Sequence, residues 1–372
     1  MANSFYQGHT ATEYARMACD TMMKKFAAED LPPKDRFHYH QGVFLSGVQQ
    51  TWHLTGDSKY YDYFKAWVDH EILPDGSILR WSKDQPKDPD QLDDIQPGIL
   101  LYELYERTGD ERYKKALDYL APLVYYFPKN KEGGFWHKYR YPYQMWLDGI
   151  YMGGPIAAEY GAKFGHPEYI DQCILQIKLM CKNTRDEATG LWYHAYDESR
   201  QVAWSDPVTG KSPEFWGRAM GWVPIGVLDE LKFIPEDHPE RQDVINIIMD
   251  LLKAIAKYQD PETGLWYQVV DKGGCEGNWV ESSCTCLYSA AIARAVKAGY
   301  LPEEYMEIAL KGYHGIIDRL RYDERGIIVD NICVGTGVGD YQHYIHRPTG
   351  ENDLHGMGAF LILMTAIAEA LD

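Results

Sequence analysis

Asp148 lies in the stretch Tyr143-Gln-Met-Trp-Leu-Asp-Gly-Ile-Tyr-Met-Gly-Gly-Pro155, a single carboxylate among aromatic residues and followed at once by glycine. Apolar rings penalise a carboxylate's charged form and favour the protonated acid. That is the state a general acid needs near neutral pH. The same residue would also serve as an N-cap, its side chain accepting from the free N–H groups at a helix start. Asp93, in Leu92-Asp-Asp-Ile-Gln-Pro-Gly98, holds a matching place before its own apolar run. Two neighbouring carboxylates raise one of their pKa values, whereas a helix N-terminus lowers them. The residues alone therefore leave the sign of the net shift on Asp148 open. Asp94 reads as a cap or surface residue.

Other chemistry-bearing residues recur beside aromatics. Arg218, in Ser212-Pro-Glu-Phe-Trp-Gly-Arg-Ala-Met-Gly-Trp222, stands between Trp216 and Trp222. A guanidinium so placed can fork a carboxylate, or it can neutralise Glu214 or a nearby aspartate. Lys138 offers a second positive charge. His137 and His194 lie in Trp-containing loops, suited to contacting a hydroxyl or to being satisfied within the loop. Trp146, Trp216 and Trp222 are candidates for a stacking platform, with core packing as the alternative; Tyr39, His40 and Met152 complete the candidate contacts. Gly149, Gly153 and Gly154 would leave room for a ring. His38, His40, His137 and His194 lack metal-ligand spacing such as His-Glu-x-x-His, so no metal and no cofactor is expected. Gly335-Thr-Gly-Val-Gly-Asp340 lacks the lysine of a phosphate loop; it would shape a loop whose backbone donors can hold an anion.

These residues need a frame that gathers them, and two recurring segments supply one. Gly-aromatic loops recur as Asp75-Gly-Ser-Ile-Leu-Arg-Trp81, Gly133-Gly-Phe-Trp-His137, Thr189-Gly-Leu-Trp-Tyr-His194 and Thr263-Gly-Leu-Trp-Tyr267, with a weaker copy at Arg325-Gly-Ile-Ile-Val329. Between them, nearly all-round apolar runs begin near His40, Asp93, Asp148, Arg218, Glu281 and Asp353, as buried helices do. Amphipathic helices alternate with these: the N-terminal one, then Ser58 to Glu71, Glu111 to Tyr125, Pro167 to Thr184, Pro239 to Gln259 and Pro302 to Arg321. Six outer and six inner helices predict an all-α (α/α)6 barrel, a six-hairpin toroid with short loops and β-hairpin-like connections at one rim. No Pro/Gly/Ser linker interrupts the series, so residues 1–372 are expected to form a single catalytic domain. An open helical solenoid is the alternative, but it needs polar capping repeats, and the last helix is among the most apolar. In a closed ring the inner helix starts converge on one end, where N–H groups and macrodipoles favour an anionic ligand.

Composition narrows the partner. A net charge of −18 argues against nucleic acid and anionic membranes. The 29 Tyr and 11 Trp exceed what a core uses easily and suit stacking on sugar rings. Seven scattered cysteines without ligand spacing read as reduced thiols. Met1 to Phe26 has no signal-peptide pattern and no stretch reaches transmembrane length, so a cytoplasmic protein, monomer or homodimer, is expected.

Together, His38-Tyr-His-Gln-Gly42, Leu92-Asp-Asp-Ile-Gln-Pro-Gly98, Gly133-Gly-Phe-Trp-His-Lys138, Met145-Trp-Leu-Asp-Gly-Ile-Tyr-Met-Gly-Gly-Pro155, Ser212-Pro-Glu-Phe-Trp-Gly-Arg218 and Asn352-Asp-Leu-His-Gly356 carry a resemblance. From about His38 to Ala370 the chain resembles unsaturated rhamnogalacturonyl hydrolases, glycoside hydrolase family 105. The resemblance implies an (α/α)6 barrel acting on a small oligosaccharide with the unsaturated uronic acid that pectin lyases leave at a non-reducing end. It places the general acid/base on Asp148, the second aspartate on Asp93, and substrate contacts on Tyr39, His137, Lys138, Trp146, His194, Trp216, Arg218 and Trp222. The expected reaction is hydration of the C4=C5 vinyl ether, which releases a 4-deoxy-5-keto uronate and rhamnose. The alternatives are an unsaturated glucuronyl hydrolase on another polysaccharide, an inverting glycosidase or sugar epimerase on the same barrel, and a non-catalytic carbohydrate-binding scaffold.

Overall fold

The structure, a computed structural model, describes residues 4–34, 36–79 and 89–372. Trp81, which ends the first Gly-aromatic loop, lies outside the described residues. The first hairpin sets the local rules. Helix α1 (Ala11–Lys25) opens on a capping box between Thr10 and Glu13. Helix α2 (Tyr39–Thr55) ends at Gly56 in the left-handed region, and Asp57 then caps α3 (Ser58–Glu71) by accepting from the Lys59 N–H. The same device repeats between α4 (Leu100–Thr108) and α5 (Glu111–Tyr125), where Gly109 is left-handed and Asp110 accepts from the Arg112 N–H. Thr-Gly-Asp is thus one motif with two jobs: the glycine stops an inner helix and the aspartate starts an outer one.

The chain continues through β1 (Gln144–Trp146), α6 (Asp148–Phe164), α7 (Pro167–Thr184), β2 (Ala195–Asp197), α8 (Gly217–Glu230) and α9 (Arg241–Ala256). Then come β3 (Trp266–Tyr267), β4 (Val280–Glu281), α10 (Ser282–Lys297), α11 (Tyr305–Ile317), β5 (Arg321–Asp323) and β6 (Gly326–Ile328). The last elements are β7 (Ile332–Cys333), α12 (Tyr341–Ile345), β8 (Thr349–Gly350) and α13 (Leu354–Leu371). Among the described residues the strands form four two-stranded antiparallel ribbons, β1–β2, β3–β4, β5–β6 and β7–β8.

The helices form the (α/α)6 barrel. Helix α2 packs on α13, α13 on α10, α10 on α8, α8 on α6, and α6 on the 3-10 turn Gln96–Ile99 that leads into α4 and returns to α2. The ring is therefore closed by its first and last inner helices. They approach closely because glycine faces backbone: a Cβ on Gly358 would lie 2.6 Å from the backbone of Val43. The outer helices α1, α3, α5, α7, α9 and α11 bury only one face each, as their alternating buried and exposed residues show.

Helix α13 corrects one expectation. It is long and apolar enough by composition to cross a membrane, yet 83% of that span is buried inside the barrel. Its hydrophobicity is that of a core helix packed between α2, α10 and α1.

Candidate active site

Ribbon β1–β2 delivers two side chains to the start of α6. It pairs Trp146 with Ala195, and the Leu147 N–H donates to the His194 carbonyl at 3.0 Å. His194 is thereby fixed beside Asp148, the first residue of α6, with Nε2 3.2 Å from Asp148 Oδ2. The cap reading of Asp148 fails: the cap position is Leu147, and no side chain caps this helix. The Asp148 side chain keeps 13% of its surface exposed whereas His194 keeps none, so the carboxylate can meet a ligand while its partner cannot.

The proton on His194 follows from its other neighbour. Buried Tyr344 accepts the Gly339 N–H at 3.2 Å and lies 2.7 Å from His194 Nδ1. A buried hydroxyl donates where it can, and Nδ1 is the acceptor it faces. The hydrogen-bond network thus assigns the proton to Nε2, which donates to Asp148. Burial pushes the Asp148 pKa up, as aromatic surroundings predict, but the hydrogen bond from His194 leads the effects that outweigh it and hold the carboxylate below its ordinary value. Burial lowers the pKa of His194 as well.

Asp93 stands in a 3-10 turn (Leu92–Asp94) at the neighbouring inner-helix start. Lys138 Nζ is 2.6 Å from Oδ2 and His137 Nε2 is 3.3 Å from Oδ1. Burial opposes its charge, yet Lys138 and His137 hold Asp93 well below the usual carboxylate range. Lys138 also donates to Gln91 at 2.8 Å; it is a buried counter-ion rather than a loop cation. Asp94 is neither cap nor surface: Arg36 and Gln91 donate to it at 3.1 and 2.9 Å.

The aromatic candidates divide. Trp146 stacks on His137 and Tyr141, with ring centroids 4.8 and 5.4 Å apart, and meets His194 edge-on at 5.3 Å. Trp216 also lies against the His194 ring, at 4.7 Å, and stacks on Tyr344. Trp222 departs from the expected platform: it is buried and stacks on Tyr151 at 4.7 Å. Met152 departs too. It is buried in the wall of a cavity of about 770 Å³ at the far, C-terminal ends of the inner helices, with Gln50, Asp229 and Arg294. That cavity is large, but the acid, imidazole and indole groups converge at the other end, and we place the candidate site there.

Among the described residues, Arg218 forks no carboxylate. It lies against Trp216 at 4.6 Å, and its two terminal nitrogens donate to the carbonyls of Cys333 and Val334, the first at 2.5 Å and the second at 2.7 Å. Glu214, its suggested partner, pairs with Lys272 instead. Arg218 thus anchors the loop carrying the Gly335–Asp340 run. Arg347 binds the same loop through the Gly335 carbonyl at 2.6 Å. The loop spans the site's edge: a Cβ on Gly335 would lie 3.7 Å from the Tyr39 hydroxyl, and one on Gly337 3.8 Å from Trp146. Glu281 is spent on structure, accepting from the N–H groups of Cys284 and Cys333 at 2.6 and 2.9 Å.

The glycines after Asp148 do not leave room for a sugar. A Cβ on Gly153 would meet Val124 at 3.0 Å and one on Gly154 would reach Glu230 Oε1 at 2.1 Å; protein atoms fill those spaces. Sequence reasoning missed Tyr344, which sits on a five-residue helix too short for periodicity to reveal. It gathered His40 and Asp353 at one rim, as the structure does, but did not foresee that His355 joins them.

A family described as Glycosyl Hydrolase Family 88 matches residues 14–371. A glycoside hydrolase from family 105 of C. acetobutylicum superposes with a TM-score of 0.89 at 34% identity, over 96% of this chain and 99% of that one. An unsaturated rhamnogalacturonyl hydrolase, YesR of Bacillus subtilis, is 28% identical over 304 residues, 80% of this chain and 79% of its own. An unsaturated glucuronyl hydrolase from a Bacillus species shares the fold, with a TM-score of 0.72 at 15% identity over 97% of each chain.

Proposed function

The chain belongs to the glycoside hydrolases of families 88 and 105, and on that premise we propose that it removes an unsaturated galacturonyl residue from rhamnogalacturonan oligosaccharides by hydrating the C4=C5 double bond. The relatives named above supply the substrate class. The observation that carries the mechanism is the unequal state of the two aspartates. Asp93 is neutralised by Lys138 with His137 against it, while Asp148 contacts the neutral Nε2–H of His194 and keeps an exposed edge.

An ordinary glycosidase assigns two carboxylates to separate tasks at C1, and an inverting one spaces them about 6.5–9.5 Å apart around a water. A carboxylate locked in an ion pair is a poor base. One free carboxylate suffices for hydration. Asp148 delivers its proton to C4, and positive charge develops at C5 and the ring oxygen. The resulting carboxylate takes a proton from the water that adds at C5. The hemiketal opens to the 5-keto uronate and the rhamnosyl aglycone departs, with one water consumed.

Asp148 must be protonated to begin, whereas in the free protein His194 holds its pKa low. The substrate's own carboxylate resolves this: a second negative charge nearby raises the pKa of the first. His194 then orients Oδ2, and the buried charge of Arg218 favours the uronate. The test is a panel of lyase-generated unsaturated disaccharides with galacturonyl or glucuronyl termini, set beside saturated counterparts and followed by loss of the conjugated alkene's ultraviolet absorbance. Turnover of the unsaturated galacturonyl-rhamnose sugar alone fits the proposal; cleavage of the saturated sugars contradicts it.

A further inference from the structure

His40, Asp353 and His355 each present a ligand atom, and these atoms all lie within 4.8 Å of one another. They sit where the barrel closes, His40 at the start of α2 and the other two at the start of α13. The rings of His40 and His355 are 5.0 Å apart at their centroids.

The hydrogen bonding around His355 is unresolved without a cation. Its Nε2 lies 3.0 Å from the Cys333 carbonyl, an acceptor only, so Nε2 carries the proton. In the neutral ring Nδ1 is then a bare lone pair, yet it faces the Asp353 carboxylate at 2.8 Å. His355 is fully buried and its Nδ1 meets only that carboxylate, while the Nε2 of His40 is buried without a hydrogen-bond partner among the described residues. A proton placed between His355 and Asp353 would satisfy one of these nitrogens. A divalent ion would satisfy both, along with the carboxylate.

We propose that His40 Nε2, His355 Nδ1 and the Asp353 carboxylate bind a divalent transition-metal ion of the zinc class. Two imidazoles and one carboxylate suit such an ion and not magnesium or calcium, which take oxygen ligands. Ligand bonds of about 2.0–2.2 Å require the two rings and the carboxylate to draw together around the ion. The ion joins the first inner helix to the last and so clasps the barrel at its seam. Its place does not depend on which sugar the enzyme accepts.

The test uses the untagged full chain, stripped with chelator and titrated with ZnCl2 by calorimetry and by thermal unfolding, beside MgCl2. The site predicts one zinc per chain and, at a hundredfold excess over Kd, a Tm rise of roughly 3 °C for a chain of this size. Magnesium should do neither, and His40→Ala and His355→Ala should abolish the zinc effect. Should those variants fail to fold, Co²⁺ added to the unmutated chain gives the same decision: visible ligand-field bands of an ordered nitrogen–oxygen site support the proposal. Absence of stoichiometric zinc binding, an equal zinc shift in the variants, or a cobalt spectrum unchanged from the aqueous ion would overturn it.

Discussion

The Nε2 of His194 stands 3.2 Å from Oδ2 of Asp148, on the side of the imidazole opposite the Tyr344 hydroxyl at 2.7 Å. This chain of three residues comes from three different hairpins. It determines how readily the proposed acid holds its proton, and the first two predictions follow from it.

Replacing His194 with Gln removes the imidazole whose hydrogen bond keeps the Asp148 pKa low. The acid then stays protonated to higher pH, so the alkaline limb of kcat against pH should move upward. The loss of orientation should lower kcat by about tenfold to a hundredfold, as for a buried charge-assisted hydrogen bond. Stability has the opposite dependence. A depressed carboxylate pKa stabilises the fold above the unfolded value of about 3.9 and loses that contribution as pH falls through the folded value. Denaturant titrations at acid pH should show this dependence weakened in His194→Gln.

Tyr344→Phe deletes the hydroxyl that assigns the His194 tautomer while keeping the ring stacked on Trp216. With Nδ1 unpartnered, the ring can place its proton there and turn a lone pair towards Asp148. A fall in kcat of about tenfold with KM nearly unchanged is expected from one lost buried hydrogen bond; steady-state kinetics on the unsaturated disaccharide measures it.

Lys138→Met leaves Asp93 buried without its cation, with His137 still beside it. Breaking a buried pair from one side costs about 3–5 kcal/mol, and the loss should be readable by urea unfolding. The double variant with Asp93→Asn should recover part of it, because the uncompensated charge is gone.

Gly154→Ala separates packing from substrate space. Its methyl group would collide with Glu230 Oε1, 2.1 Å away, so stability should fall by about 1–3 kcal/mol, as overpacking does. KM of the folded fraction should not change. A raised KM at unchanged stability would show that the glycine does make room for the sugar.

Much of this architecture is legible in the sequence because it is local. Apolar runs, amphipathic faces and the Thr-Gly-Asp motif mark where helices start and stop, and the apolar last helix predicts a closed ring. Asp148 and Asp93 are legible as matched helix starts. What each aspartate touches is not. Lys138 reaches Asp93, and His194 reaches Asp148, from loops one hairpin further along the chain. Arg218 looks like a carboxylate binder among tryptophans, but the carbonyls it holds belong to a loop more than a hundred residues away. Helical spacing placed Trp222 beside Arg218, yet it says nothing of the Tyr151 ring against which Trp222 packs. The His40–Asp353–His355 cluster exists only because the ring closes.

The account rests most directly on Asp148 as the proton donor, and Asp148→Asn tests it. The variant keeps the shape of the side chain and can still accept from His194. Turnover of a lyase-generated unsaturated galacturonyl-rhamnose disaccharide, followed by ultraviolet absorbance, should fall by about 10²–10⁴-fold, the usual worth of a positioned acid. Binding of the same disaccharide, measured by calorimetry, should be retained. Turnover near that of the unmutated enzyme would contradict the account.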